Sequence, residues 1–450
     1  MSDEAVAVPS VPQALSRRHA LAALAALVVV CTLVRLLLWH VYEPVRYPDT
    51  GTYLSAAEQI STLDFTGYTG HRPPGYPAFL LLTGADPHFT WFIQSLLGLG
   101  VSVLVYLLVL RATSNAGLAF ALGLLQTIAL NQLLFEANML AETLTTFLVI
   151  LSVLLAVKAA DEGSSVRAMG VVGLVSAAAA LTRPQYIFLG PLYFLLLLFV
   201  LPRGARARLA WLVLGFALPV VAWAAFNKAT IGYLGLTGTM GIGLAQHSSR
   251  FIDKAPAEFA VLRDTYLDVR LERYGNAPPD HMSVWEAIPQ MRAVTGDSLA
   301  DLSRELTKMS LWLFVHYPAD YAKGVAEAWY SFWAVPLYWR GDLAHGDEAR
   351  RALQAVWGVE QPLLRGLNLA FVLLFALASM QWLRTRRLTA SSYVVLVTGA
   401  VVLAASCVQA LFEYSENPRY AIPTQTLAAV CAVVIVYDYL RRRRGDQPVR

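Results

Sequence analysis

Apolar residues occur along the chain in uninterrupted runs of about 20, separated by short segments rich in arginine or in polar and aromatic residues. A helix of about 20 apolar residues is long enough to cross the roughly 30 Å of hydrocarbon in a bilayer. The runs therefore predict about ten membrane-spanning helices, within a range of about nine to twelve. The predicted spans are residues 20–40, 89–110, 117–136, 140–157, 168–182, 184–201, 209–228, 363–383, 391–412 and 420–440.

Two longer segments are too polar to cross a membrane. Residues 41–88 form a first outer loop with predicted juxtamembrane helices, and residues 229–362 form a mostly helical outer domain. Within that domain, residues 318–334 predict an amphipathic helix lying in the membrane interface, with sugar stacking as the alternative. One face of this helix carries three aromatic residues and a valine, which we call the aromatic stripe: Tyr321, Val325, Trp329 and Trp333.

The predicted fold is thus an all-α polytopic membrane protein. A cytoplasmic tail (1–19) precedes an N-terminal transmembrane module (20–228). The outer domain (229–362), C-terminal transmembrane helices (363–440) and a basic tail (441–450) follow it.

Composition supports this fold class and excludes several functions. Hydrophobic residues make up 57% of the chain and charged residues 15%, and the mean hydropathy is +0.51, far from the averages of soluble domains. Cys31, Cys407 and Cys431 fall inside predicted spans, so neither a disulfide framework nor a cysteine metal site is expected. With no Walker loop or dinucleotide-binding motif, nucleotide chemistry and nucleic-acid partners are not expected either.

Arginine positions indicate the orientation. If the N-terminus is cytoplasmic, arginines concentrate in the inner segments, as the positive-inside rule requires. Shifting the register by one helix would put the clusters at 384–387 and 441–444 on opposite sides. Both termini are therefore expected inside, in the plasma membrane of a bacterium.

Five groups of polar or ionisable residues remain at the predicted outer ends of the helices, where charge is costly and usually functional. Three of their arginines, Arg72, Arg183 and Arg419, oppose the positive-inside trend. Because arginine pairs bidentately with phosphate, a lipid phosphate is the expected partner. The groups are Asp49 with Tyr53, His71 with Arg72, Glu136 with Glu142, Arg183 alone, and Glu416 to Tyr420.

Each of these groups also has a structural interpretation. Asp49 could cap the helix that follows it, and Glu142 could cap the fourth span. His71 could be an ordinary interfacial residue, Arg183 could pair with Glu142, and Glu416 could pair with Arg419. Near the middle of the first span, Arg35 could snorkel outward or help to hold a phosphate.

Five short motifs follow one another along the chain, and their order resembles that of the GT-C glycosyltransferases. This superfamily includes bacterial enzymes that use polyprenyl-phosphate sugars, protein mannosyltransferases and aminoarabinose transferases among them. The resemblance covers roughly residues 20–440, apart from the outer domain. The motifs are Tyr47-Pro-Asp-Thr-Gly-Thr-Tyr53, Arg72-Pro-Pro-Gly-Tyr-Pro77, Ala141-Glu-Thr143, Leu181-Thr-Arg-Pro184 and Glu416-Asn-Pro-Arg-Tyr-Ala-Ile-Pro423.

The resemblance implies a catalytic aspartate in the first outer loop, here Asp49, that acts on a polyprenyl-phosphate-linked sugar. Asp49 is followed by Thr50, so the acidic doublet familiar in the family is absent. No cofactor is then required, no metal ligands are assigned, and a divalent cation stays an open alternative. The chain is expected to act as a monomer in the bilayer.

The chemistry of sugar transfer suggests roles for the outer residues. A bond between sugar C1 and phosphate has a good leaving group, so the enzyme needs a base for the acceptor hydroxyl and cations for the departing phosphate. Asp49 is the predicted base, and Arg183, Arg72 and Arg419 are the predicted phosphate ligands. The residues predicted to bind or orient substrate are Tyr53, His71, Tyr76, Glu142, Glu416 and Tyr420.

A single base with direct displacement predicts inversion at C1. The expected activity is therefore transfer of a sugar to a glycan, lipid or protein on the periplasmic side. Two alternatives are a lipid-linked sugar transporter or flippase, and a polymerase or ligase of surface polysaccharide.

Overall fold

The computed structural model describes residues 17–161, 165–275, 282–385 and 389–444. Within these ranges the chain forms nineteen α-helices joined by turns and short 3-10 segments, without a β-strand. The all-α prediction is confirmed. The greater part of both predicted tails (1–16 and 445–450) lies outside the described residues, as do Arg386 and Arg387.

Ten helices precede the outer domain. They are α1 (Arg17–Val41), α2 (Pro48–Thr62), α3 (Gly75–Leu82), α4 (Pro87–Thr113), α5 (Ala116–Ile128), α6 (Leu130–Ala137), α7 (Glu142–Ala159), α8 (Val166–Thr182), α9 (Leu189–Val200) and α10 (Leu209–Ile231). Two of them, α2 and α3, lie in the first outer loop.

The remaining nine helices include the outer domain and the C-terminal spans. They are α11 (Met240–Ser248), α12 (Ala260–Tyr274), α13 (Ser283–Thr295), α14 (Leu299–His316), α15 (Pro318–Phe332), α16 (Gly346–Thr385), α17 (Ala390–Phe412), α18 (Asn417–Tyr420) and α19 (Ile422–Arg443).

Seven of the described helices are long and apolar enough to cross a membrane, namely α1, α4, α7, α10, α16, α17 and α19. The bent pair α5 and α6 makes an eighth if it counts as one span. Two shorter apolar segments, Val166–Thr182 and Pro184–Val200, occupy the other two predicted positions. Multi-pass architecture is confirmed, and a count of ten includes the bent pair and both shorter segments.

The predicted span 117–136 is not one straight helix. It is bent by 52° between α5 and α6, at Ala129, whose ψ of 105° is not helical. The backbone N–H of Leu130, left without a helical partner by the break, donates to a carboxylate oxygen of Glu360 on α16 at 2.8 Å. Glu360, which is distant in the sequence, therefore caps the start of α6. No proline or glycine at the bend predicts it from the sequence.

The predicted span 363–383 begins earlier than expected. It forms the second half of α16, whose first half, from Gly346, is polar and exposed. Large exposed apolar side chains on the spans, such as Leu37, Val221 and Leu373, form the surface available to lipid. The opposite faces of the helices pack into a common apolar core around Val105, Val153 and other buried side chains.

In the outer domain, the glycine-rich segment 232–243 serves close packing. The Gly241 N–H donates to Ser303 Oγ at 2.9 Å, and a Cβ at Gly241 would lie 1.8 Å from the Ser303 carbonyl oxygen. The aromatic stripe of α15 is likewise engaged. Tyr321 donates to the Leu411 carbonyl, and Trp329 donates to Ser406 on α17, so the stripe packs on a membrane helix.

Candidate active site

The starts of α2, α3, α7 and α18 and the end of α8 meet at one end of the bundle. Arg111 at the end of α4 forms an ion pair with Asp161 beyond the end of α7, which marks the opposite end. The helix termini at the first end carry six charged residues that we call the arginine–carboxylate cluster. They are Asp49, Arg72, Glu142, Arg183, Glu416 and Arg419.

Asp49 lies in the first turn of α2, where the helix dipole favours an anion. It is not the N-cap. That position is Tyr47, whose backbone N–H donates to Thr50 Oγ1 at 2.9 Å, while Pro48 occupies the first turn. The Asp49 carboxylate is therefore not used for capping, and with 34% of its side chain exposed it is accessible from the surface.

Two arginines from distant parts of the chain bind Asp49. Its Oδ1 lies 2.8 Å from Arg72 Nη2, and its Oδ2 lies 2.9 Å from Arg419 Nη1. Burial alone would raise the pKa of Asp49, but these guanidinium groups outweigh burial and hold the pKa well below the usual range of aspartate. Asp49 is consequently ionised at neutral pH.

Arg72 is fixed by the first outer loop. Its Nε donates to Thr52 Oγ1 at 2.8 Å, and its guanidinium stacks over the Tyr53 ring at 4.3 Å from the centroid. Tyr53 in turn packs edge-on against Tyr76. Tyr76 is fully buried and its hydroxyl donates to Gln94. Tyr76 therefore packs behind Tyr53 and does not lie on the surface of the cluster.

Gly75 brings the Arg72 motif against the Arg183 motif. A Cβ at this position would lie 2.4 Å from Thr182 Oγ1 and 2.8 Å from the Leu181 carbonyl oxygen. No larger residue fits without moving α3 away from the end of α8. The glycine of Arg-Pro-Pro-Gly is thus needed for the packing of the two motifs.

We expect Gly75→Ala to destabilise the protein by about 1–3 kcal/mol, because the added methyl overpacks the contact between α3 and α8. Thermal unfolding of the purified protein in detergent measures this loss. Gly366→Ala is the matched control, since Gly366 lies inside α16 with open space around it. Equal melting temperatures for the two variants would contradict the packing role of Gly75.

Glu142 is the fully buried centre of the cluster. It accepts hydrogen bonds from Arg183 and from Arg419 Nε, and it begins α7 without capping it. Arg183, at the end of α8, also stacks over the Tyr420 ring at 4.7 Å. The pairing of Arg183 with Glu142 that the sequence offered as an alternative is present, and Glu142 Oε1 binds both Arg183 and Arg419.

Arg419 joins all three carboxylates. Besides Glu142 and Asp49 it binds Glu416 at 3.0 Å, so the predicted pair with Glu416 is only part of its role. Arg419 Nη2 and Arg183 Nε are buried and lack a hydrogen-bond partner among the described residues. Both arginines therefore retain a donor that an anion could use after a small movement.

Two further predicted residues lie elsewhere. Arg35 pairs with Glu136 at 2.6 Å inside the bundle, and both side chains are more than nine-tenths buried. That pair does not join the arginine–carboxylate cluster. His71 stacks on Trp285 of α13, which links the first outer loop to the outer domain, and burial with the nearby Arg72 lowers its pKa to about 4.

Sequence reasoning missed residues that hold the cluster from the side. Tyr338, in the segment before α16, lies 5.5 Å from the Arg419 guanidinium, and its hydroxyl donates to Glu416. The Gln246 side chain accepts from the Ser415 N–H at 2.9 Å and so fixes the turn before Arg419. No local motif distinguishes Tyr338 or Gln246 in the sequence.

A polar cavity of about 210 Å³ adjoins the cluster and shares Arg72 with it. Its wall provides hydroxyl, amide and aromatic groups, and Arg72 is its one charged residue. The lining residues are Gly51, Thr52, Ser55, Ala56, Gln59, Gly67, Tyr68, Thr69, His71 and Arg72. This composition suits an uncharged polar ligand such as a sugar.

The described residues contain no group of three or more His, Cys, Asp or Glu side chains arranged to hold a metal ion. At the cluster each carboxylate is paired with at least one arginine.

No protein-family model matches the chain, and no curated protein is similar to it in sequence. Two solved structures are similar in fold. One is the archaeal oligosaccharyltransferase AglB from Archaeoglobus fulgidus in complex with an inhibitory peptide and a dolichol-phosphate, with a TM-score of 0.45 and 13% identity. That match covers 95% of this chain and 51% of the AglB chain.

The other is a crystal structure of the Archaeoglobus fulgidus oligosaccharyltransferase in complex with Zn and sulfate. Its TM-score is 0.42 and its identity 13%, over 94% of this chain and 50% of that one. This chain therefore spans about half the length of both.

Proposed function

We propose that this protein is an inverting glycosyltransferase that moves a sugar from a polyprenyl-phosphate donor to an acceptor outside the cytoplasm. The observation that carries the proposal is the placement of Asp49. It is an ionised, partly exposed carboxylate held between two arginines at the end of a membrane-helix bundle. Such a site can meet a lipid phosphate and a water-soluble acceptor together.

In the proposed step, the acceptor hydroxyl gives its proton to Asp49 while its oxygen forms a bond to sugar C1. The bond between C1 and the phosphate oxygen breaks, and its electron pair leaves with polyprenyl phosphate. Arg183 and Arg419 stabilise the negative charge of the leaving group. Attack opposite the leaving group inverts C1, since one carboxylate serves only as the base.

Charge balance in the cluster suggests how the base is activated. Three arginines face three carboxylates, so the charges within the cluster balance, and Asp49 with its low pKa is a weak base. A donor phosphate competes for Arg419, which already has an unused donor at Nη2. As Arg419 turns toward the phosphate, the pKa of Asp49 rises and its carboxylate becomes a better proton acceptor.

The polar cavity beside Arg72 is the proposed acceptor site. Ser55, Gln59 and Thr69 offer hydrogen bonds to sugar or peptide groups, and Tyr68 offers a ring face. Arg72 lines this cavity and also binds Asp49, so an acceptor that extends from the cavity past Arg72 would bring its hydroxyl to the base. We assign no catalytic step to a divalent cation, although one is compatible with the general chemistry.

The proposal includes location and organisation. We place the protein in the plasma membrane of a bacterium as a monomer, with both termini in the cytoplasm and the arginine–carboxylate cluster facing the periplasm. Arg111, Arg384 and the basic end of α19 lie at helix ends opposite to the cluster, which supports this orientation through the positive-inside rule. The module 20–228 supplies Asp49, Arg72, Glu142 and Arg183, and the outer domain 229–362 adjoins the acceptor cavity through Trp285.

Arg72→Gln should create an acid limb in the pH profile. In the wild type, Asp49 stays ionised and His71 stays neutral from about pH 5 to 8, so neither group changes kcat/KM there. Without Arg72 the pKa of Asp49 rises, and kcat/KM then falls as the pH is lowered toward 5 because the base becomes protonated.

The control for this profile is Arg46→Gln, which removes an exposed arginine from the same loop. Its profile should keep the wild-type shape. An Arg72→Gln profile with the same shape as that of Arg46→Gln would contradict the assignment of Asp49 as the base.

The proposal is tested by incubating purified protein with a polyprenyl-phosphate sugar and a mixture of glycan, lipid and peptide acceptors. We expect free polyprenyl phosphate to accumulate together with glycosylated acceptor. Native mass spectrometry of the purified protein should also detect a co-purified lipid phosphate. A protein that neither binds nor cleaves the donor would refute the proposal.

A further inference from the structure

A second cavity lies at the opposite end of the bundle, between α16, α17 and α19. Its volume is about 630 Å³. Because α19 runs from Ile422, beside the arginine–carboxylate cluster, to Arg443, its 22 residues separate the two ends by about 33 Å. That is the thickness of a hydrocarbon layer, so this far-end cavity belongs to the other membrane surface.

The wall of the far-end cavity is divided into an apolar and a cationic part. Leu374, Leu377 and Trp382 of α16 and Val395 of α17 belong to the apolar part, and Leu374 and Leu377 lie two to three helical turns before the end of α16. Arg442 and Arg443, at the end of α19, belong to the cationic part and are exposed. This division matches the two parts of a phospholipid, an acyl chain and a phosphate head group.

Asp438 is the acidic residue of the wall, and it lies one helical turn before Arg442. Its charge offsets one arginine and leaves a net positive site. Arg443 stacks over the Tyr439 ring at 4.8 Å, which holds its guanidinium near the cavity mouth. A net positive wall favours an anionic head group over a zwitterionic one, whose ammonium would meet the same arginines.

We propose that the far-end cavity binds one anionic phospholipid of the bilayer, with an acyl chain against α16 and α17 and the phosphate at Arg442 and Arg443. Basic pockets between membrane helices suit such head groups, since each arginine near the surface attracts an anionic lipid. The occupant is distinct from the sugar donor, which is proposed to bind at the other end. The proposal does not depend on glycosyl transfer.

The test is a lipid titration of the purified full-length protein, after delipidation in detergent, read by native mass spectrometry. Phosphatidylglycerol is compared with phosphatidylcholine of the same chain length. We expect one phosphatidylglycerol to bind at least about tenfold more tightly than phosphatidylcholine. Arg442→Gln combined with Arg443→Gln should remove this preference, because each lost charge-assisted hydrogen bond corresponds to about tenfold in affinity.

The matched control is Arg441→Gln combined with Arg444→Gln, which removes the same charge next to the cavity but outside its wall. The control should keep the wild-type preference. An equal loss in both double variants would show attraction by the basic tail in general, and would overturn the proposal. No preference in the wild type would overturn it too.

The apolar half is tested separately. Ala378→Trp, which fills the cavity from α16, should weaken phosphatidylglycerol binding although both arginines remain. Inorganic phosphate, which has no acyl chain, should not displace the lipid. Displacement by phosphate, or full lipid binding by a folded Ala378→Trp variant, would overturn the assignment of the apolar wall to the acyl chain.

Discussion

Asp49→Asn lowers sugar transfer by about 10²- to 10⁴-fold, the range expected when a general base is removed. The amide is nearly the same size as the carboxylate and can still accept a hydrogen bond from Arg72 or Arg419, but it does not take up the acceptor proton. Since one negative charge is lost, the cluster becomes net positive. Donor binding should therefore be maintained or strengthened while kcat falls.

The measurement compares kcat with the dissociation constant of the polyprenyl-phosphate sugar. Asp64→Asn is the matched control, because Asp64 is an exposed aspartate of the same outer loop whose carboxylate binds the neighbouring Thr66 and lies outside the cluster. Asp64→Asn should transfer sugar normally. If Asp49→Asn keeps more than about a tenth of the wild-type rate, Asp49 is not the base.

Arg419→Lys lowers sugar transfer by about 10²- to 10³-fold, the cost of one lost charge-stabilising donor. Arginine reaches Glu142 through Nε and reaches Asp49 and Glu416 through Nη1. The single ammonium of lysine cannot reproduce this fork, so it cannot keep Glu142 paired and also turn toward a phosphate. Both donor affinity and kcat should fall.

Because Glu142 is fully buried, losing Arg419 also destabilises the fold. Thermal unfolding in detergent measures this loss of stability, and sugar transfer is assayed at a temperature at which the Arg419→Lys variant is still folded. Arg304→Lys, at an exposed arginine paired with Asp301, is the control for the substitution itself. Wild-type transfer by the folded Arg419→Lys variant would mean that Arg419 only supports the fold.

The membrane helices were predictable because each crossing needs a long apolar run, and that signal is local. All ten predicted segments lie on helices, two of them on shorter apolar segments. The bend at Ala129 was not predictable, because its physical reason is Glu360, more than 200 residues away. The early start of α16 was missed because its first half is polar and carries no hydropathy signal.

The residues of the cluster were predictable from the sequence, but the ion pairs between them were not. Arg72, Arg183 and Arg419 are cations on the side of the membrane where the positive-inside rule disfavours them, Asp49 is an acid at the same predicted depth, and all four lie together. Which carboxylate binds which arginine depends on how five helix ends meet, and no spacing in the chain encodes that. The sequence alone likewise allows Arg35 to bind a phosphate, because its pairing with Glu136 is visible only in the structure.

The interpretation of the arginines also changed with the structure. The sequence predicts that the outer arginines are unpaired cations that bind a phosphate. In the structure, carboxylates already neutralise them. Phosphate binding then has to redistribute existing ion pairs. This requirement links donor binding to the basicity of Asp49, a coupling that the separate motifs do not suggest.

The most direct test of glycosyl transfer follows one donor molecule to its products. Purified protein is given a polyprenyl-phosphate sugar labelled in the sugar ring, and both the lipid and the acceptor are analysed. The account predicts one free polyprenyl phosphate for each sugar transferred, with the configuration at C1 inverted. Retention at C1, or movement of intact lipid-linked sugar across liposomes without release of polyprenyl phosphate, would contradict it.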